Sequence, residues 1–246
     1  MNILKVTLLG EQEDNLTGSM TMIEFPDKTI GIIDFGLTQF NDGNIASSML
    51  YNGREFDFNA HDIDFVIITH AHADHLGLLP LLVKRGFEGK IITTLPTADF
   101  ASLTLFDTVK IFESDCDWYN KNHKKQIQPI FNNGDVENTL GKMRGYDFNT
   151  SIYINDNITV ELLKAGHMLG ACMPKIRYRD ENIDKRVLFT GDTSGLTTKK
   201  PFLPPADDFG HVDYVVTEST YGNRVQEKVD VKHELREAIY LSLIHI

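Results

Sequence analysis

Between Thr69 and Gly77 the chain reads THAHADHLG, which puts His70, His72, Asp74 and His75 within six consecutive positions. Imidazole nitrogen and carboxylate oxygen are donor atoms for Zn²⁺, and they also suit Mn²⁺ and Fe²⁺. The cluster follows the apolar run DFVIIT. A chain leaving a strand keeps alternating its side chains with period two, so His70 and His72 can share one side while the small Ala71 and Ala73 turn away. A helix starting near Asp74 or His75 would change the period and return both side chains to the same pocket. A lone histidine is ordinarily a surface or satisfied core residue. Four donors in HxHxDH order after a buried strand instead read as the shared wall of two cation sites.

Four residues cannot complete two coordination spheres, so partners are expected elsewhere. AGHMLGA (165–171) sets His167 between glycines after a β-like run, and LFTGDTSG (188–195) sets Asp192 after another. Taken singly, each could be a turn residue; at strand ends, and in this order, they read as ligands. Asp34, in IIDFG (32–36), reads as a residue behind the ligands that orients one of them.

These residues need strands that end together. Short β-like runs open the chain at 3–10, 19–25 and 29–36, and DIDFVIITH (62–70) reads as a strand buried on both faces. HLGLLPLLVKRG (75–86) reads as one helix closing on Gly86, with Lys84 and Arg85 in its last turn. The strand KIITT (90–94) leads past Pro96 and an expected N-cap at Thr97 into a long helix with Ala101, Leu105, Val109 and Phe112 inward. Residues 113–148, with Lys121, Lys124 and Lys125 around His123, read as a solvated connector rather than a basic patch. Further β-like runs come at 151–155, 158–166, 172–180, 185–192 and 212–219. The pattern is that of a layered α/β domain.

Composition sets the outer bounds. The 246 residues are 41% hydrophobic and 24% charged, ordinary for a globular protein, and no apolar run has a membrane span's length. Cys116 and Cys172 stand far apart with no CxxC spacing, which points to reduced thiols and a cytoplasmic protein. A net charge of −11 argues against nonspecific attraction to nucleic acid or lipid. Acids that bind metal would offset part of it.

An Asp after an early strand, HxHxDH, a later His and a later Asp together resemble the metallo-β-lactamase superfamily. The resemblance implies a four-layer αβ/βα sandwich, C-terminally incomplete here, with the metals at one edge of its sheets. It implies two Zn²⁺ ions: His70, His72 and His167 on the first, Asp74 and His75 on the second, and Asp192 bridging. The stretches from ITHAHADHLG to FDTVKI, AGHMLGA and TESTYGNR (217–224) are similar to the β-CASP branch of RNA- and DNA-processing nucleases, as is the early loop GLTQF with Phe40. By that resemblance Glu218 is an acidic residue paired with a downstream His that acts on the leaving group.

The resemblance thereby implies zinc-dependent hydrolysis of RNA phosphodiesters by a two-metal-activated water, with Asp74 and Glu218 catalytic. Two bound cations would acidify the water and neutralise charge on the scissile phosphate. The implied partner is single-stranded RNA, with no membrane, and a homodimer of the full-length protein is left open. Two other readings stay open: a hydrolase of this fold acting on a small thioester, lactone or phosphodiester, and a non-catalytic subunit of an RNA-processing complex.

The resemblance divides the chain into a metallo-β-lactamase portion (1–210), the start of a β-CASP domain (211–240) and a tail (241–246). The tail LSLIHI is similar to what a transposon-end sequencing adapter encodes in one frame, so it is expected to be non-native and the chain a fragment. His211 and His233 have no family counterpart and read as surface residues. The leaving-group His and a further His ligand are matched nowhere in the chain, so the second ion is expected to be under-coordinated and the fragment weakly active or inactive alone.

Overall fold

The run DFVII becomes strand β4 (Phe65–Ile67), whose side chains enter two different cores: Phe65 and Ile67 one, Val66 and the following Ile68 the other. Such alternation requires apolar residues throughout, which is why this strand reads as a continuous run. The computed structural model describes residues 4–10, 17–40, 45–124, 126–193, 205–206, 208–220, 222–223 and 230–243. Of the sequence expectations, Lys125, Tyr221, Arg224 and residues 244–246 lie outside the described residues.

β4 sits inside a six-stranded sheet with β1 (Lys5–Leu8), β2 (Thr21–Glu24), β3 (Ile30–Ile33), β5 (Lys90–Thr94) and β6 (Met143–Tyr146). They stand in numerical order, antiparallel from β1 to β3 and parallel from β3 to β6. A second sheet runs β11-β10-β9-β8-β7, from Tyr214–Val216, Asp184–Phe189, Cys172–Arg179, Ile158–Lys164 and Ser151–Tyr153. Only β10 and β11 pair in parallel there.

Ile23, Ile33, Phe65, Ile67 and Ile92 of the first sheet meet Val160, Leu162, Ile176, Val187 and Phe189 of the second in one buried cluster. The first sheet's other face is covered by helices, the first of them α1 (Ile45–Asn52), and by the segment before the fifth, through Met49, Leu79, Leu82, Leu105, Val109, Phe112 and Phe131. The last described helix, α6 (Val231–Leu243), is exposed along its described side chains and includes Leu241–Leu243 of the tail.

The helices differ from expectation in three places. The helix expected over 75–86 is two, α2 (Ala73–Leu76) and α3 (Leu79–Lys84). Gly77 marks the break, where a Cβ would meet the Ala73 carbonyl oxygen at 2.4 Å and Leu37 Cβ at 2.9 Å. The long helix α4 (Leu95–Asn122) is capped by Thr94, not Thr97: the Thr94 hydroxyl accepts from the Thr97 N–H. Pro96 fits because the first helical turn needs no N–H there. Residues 113–148 are no mere connector. They finish α4, form α5 (Asn133–Lys142) with a capping box at Asn132 and Asp135, and supply β6. Phe131, Val136 and Met143 are buried, while Lys121, His123 and Lys124 are exposed as expected.

Candidate metal centre

The donors come from three segments, all at one end of the sheets. His70 follows β4, and His72 is the N-cap of α2, whose first residues include Asp74 and His75. His167 lies in the β8–β9 hairpin between Gly166 (φ 75°) and Gly170 (φ 85°), conformations that glycine adopts without strain. Asp192 follows β10 through Gly191 (φ 50°). Cys172 N donates to Thr69 O at 2.8 Å, and the Thr94 hydroxyl donates to Gly170 O at 2.7 Å, so the hairpin is docked on both β4 and α4. Gly36 brings the chain after β3 against α2: Phe35 N donates to His75 O, Leu37 N to Ala73 O and Ser19 N to Asp74 O.

Among the described residues, one group of donors converges closely enough for a cation: His70, His72, His167 and Asp192, with atoms within 4.8 Å of one another. His70 Nε2 is 3.0 Å from His72 Nδ1, and His167 Nε2 is 3.2 Å from the same nitrogen. Asp192 Oδ2 lies 3.6 Å from His167 Nε2 and 4.0 Å from His70 Nε2. Four donors about 2.0–2.2 Å from a tetrahedral centre would stand roughly 3.3–3.6 Å apart. The closer pairs bracket that range, and the N₃O donor set fits a divalent cation.

Asp74 and His75 stand beside this group. His75 Nε2 is 3.3 Å from Asp192 Oδ1 and 4.0 Å from Asp74 Oδ2, so Asp192 reaches toward both positions with different oxygens. Asp34 lies behind this pair: its Oδ2 accepts from His75 Nδ1 at 2.8 Å and from the Thr69 hydroxyl at 2.8 Å, and its Oδ1 accepts from Thr69 N at 2.7 Å. Asp34 holds φ 59°, a left-handed conformation that aspartate tolerates better than most residues.

The site separates its imidazoles electrically. Burial and then the neighbouring His75 hold His70 down to about 2, so its ring is neutral and able to ligate. Burial would also lower His75, but Asp34 and Asp192 override it and raise the ring to about 10. Burial would raise Asp192, yet the hydrogen bond and charge of His75 bring it to about 2.

A cleft of about 290 Å³ opens on the Asp74–His75 side, bounded by Ser19, Asp192, Thr217 and Glu218 among others. Glu218 Oε1 accepts from Thr193 N at 2.9 Å, which ties it to the Asp192 loop. Phe40 packs edge-on against Tyr51. His211 is largely exposed and 3.7 Å from Asp213, and His233 lies on the exposed α6. The sequence alone assigns no role to Thr69, Thr94 or Gly36. Their only signals are a hydroxyl beside His70, a threonine before Leu-Pro and a glycine two residues after Asp34.

Residues 14–102 match the model of the metallo-beta-lactamase superfamily. The chain is 33% identical over 220 residues to the transcription termination factor FttA of Methanosarcina mazei, covering 89% of this chain and 32% of that protein. It is 32% identical over 192 residues to the probable RNase MJ4 of Methanocaldococcus jannaschii, covering 76% and 39%. With the endoribonuclease YSH1 of Gibberella zeae it shares 30% over 205 residues, covering 83% and 22%. The chain thus spans between about a fifth and two fifths of these relatives. Two facing sheets with their donors gathered at one end, the matched family model and these relatives agree: the chain belongs to the metallo-β-lactamase superfamily, in its β-CASP branch.

Proposed function

We propose that this chain carries the metal-binding part of a cytoplasmic, zinc-dependent ribonuclease that hydrolyses phosphodiester bonds of single-stranded RNA. The observation that carries the reading is the convergence of His70, His72, His167 and Asp192 from separate segments at zinc-like spacing, with Asp74 and His75 alongside. Relatives named as a probable RNase and an endoribonuclease support the substrate class.

His70, His72, His167 and Asp192 would hold a first ion, and Asp74, His75 and the other oxygen of Asp192 a second. Bound divalent cations supply two things here: a water acidified toward neutral pH and charge neutralisation at the scissile phosphate. Asp74, at the cleft, accepts a proton from the attacking water and orients it. Glu218, held by Thr193 N, faces the same cleft and assists the leaving-group side. Asp34 keeps His75 turned toward Asp192.

The natural protein that carries this sequence, loaded with zinc, should cut single-stranded RNA, and Asp74→Ala should abolish cutting. RNA left intact by both proteins would end the nuclease reading.

A further inference from the structure

Thr69 belongs to neither ligand set, yet every segment that supplies a donor meets it. It is 1% exposed. Its hydroxyl oxygen lies 2.8 Å from Asp34 Oδ2 and 3.0 Å from His70 Nδ1. A hydroxyl has one proton and a carboxylate only accepts, so the Thr69 proton goes to Asp34. The hydroxyl lone pair then accepts from His70 Nδ1–H, which leaves Nε2 of His70 unprotonated and facing His72 and Asp192.

The same Asp34 oxygen accepts from His75 Nδ1. The backbone of Thr69 extends the arrangement: its carbonyl receives Cys172 N at the foot of the His167 hairpin. On the Asp192 side, a Cβ on Gly191 would lie 2.7 Å from Thr69 Cβ and 2.9 Å from its methyl, so that loop packs directly against the side chain.

We infer that Thr69 is a positioning residue for the metal centre, whose hydroxyl fixes Nε2 as the donor nitrogen of His70 and, through Asp34, ties His70 to His75. Valine preserves the shape but gives His70 Nδ1–H no acceptor and withdraws one donor from Asp34. Serine keeps both hydrogen bonds and loses only the methyl against Gly191. The inference rests on the reading that the site holds a cation.

The test compares wild type, Thr69→Val and Thr69→Ser by zinc titration against a competing chelator and by the visible spectrum after Co²⁺ substitution. Thr69→Val should bind zinc about ten- to a hundredfold more weakly, the usual cost of losing a group that orients a ligand, and should show an altered Co²⁺ spectrum. Thr69→Ser should bind within about threefold of wild type, well inside that cost. Wild-type binding and spectrum in Thr69→Val would overturn the inference, as would equal damage in Thr69→Ser, which would assign the effect to packing. Nitrogen NMR of the zinc-loaded wild type needs no variant to fold: His70 should carry its proton on Nδ1, and a proton on Nε2 would also overturn it. Wild type that takes up no zinc would instead defeat the cation reading, and this inference with it.

Discussion

Oδ2 of Asp34 stands 2.8 Å from Nδ1 of His75, 41 residues further along the chain, and both side chains are buried. The contact leaves His75 Nε2 directed at Asp192 and makes the ring a strong base. In chelator-treated protein, Asp34→Asn should drop His75 well below its value of about 10, because burial would then be opposed mainly by Asp192. An NMR titration of the imidazole reads this directly. Asp34→Ala should also cost about 3 kcal/mol in denaturant unfolding, the scale for breaking a buried ion pair.

Protons and cations compete for the same atoms. The raised His75 contributes stability that is complete below the unfolded value near 6.5 and is lost as pH rises through about 10. The lowered His70 does the opposite: its contribution holds above 6.5 and is lost as pH falls toward about 2. Asp192 acts in the same direction as His70, its contribution holding above 3.8 and going as pH falls through about 2. Melting temperature without metal should therefore peak near neutrality and decline on both sides. Affinity for a second ion should rise with pH, since His75 must release its proton to ligate, and proton release on binding is measurable by calorimetry in two buffers.

His167 is partly exposed on a hairpin loop, whereas His70 is fully buried. His167→Ala should then leave unfolding free energy within about 1 kcal/mol of wild type. Zinc affinity should fall by more than the roughly hundredfold attributed to supporting residues. Chelator competition and denaturant melts on the same samples would separate the two effects.

A Cβ at Gly36 would fall 1.6 Å from the Asp74 carbonyl oxygen and 2.8 Å from His75 N. Gly36→Ala should thus displace α2 and weaken metal binding at Asp74 and His75 without touching a ligand. Retention of wild-type metal stoichiometry and affinity in this variant would contradict that expectation.

Residues 113–148 offer a test of packing alone. Phe131→Ala, at a position with no exposed surface, should cost about 3–5 kcal/mol. Trp118→Ala, more than half exposed on α4, should stay within about 0.5 kcal/mol. Equal effects in denaturant unfolding would mean that this stretch does not pack as described.

The strand that leads to the donors was legible because β4 needs apolar residues on both faces and ends three residues before His70. The donor set was legible because His and Asp are rare in such an order. What escaped was of two kinds. Phe131, Val136 and Met143 lie among many polar residues, and the stripe that Val136, Leu140 and Met143 make at i, i+4 and i+7 is too short to stand out from them. Thr69, Thr94 and Gly36 act through a hydroxyl or through the lack of a side chain, and their partners, such as Asp34 and Gly170, lie far away in sequence. Such contacts depend on three-dimensional closure, which spacing does not carry.

His70 and His72 lie beyond β4 of the first sheet, while His167 and Asp192 hang from β8 and β10 of the second. A bound ion would consequently act as a clasp across the sandwich, linked by mass action to folding of the whole. At a free concentration a hundred times its dissociation constant it would add about 2.7 kcal/mol to global stability. Removing it should lower the unfolding transition of both sheets together, not loosen one loop.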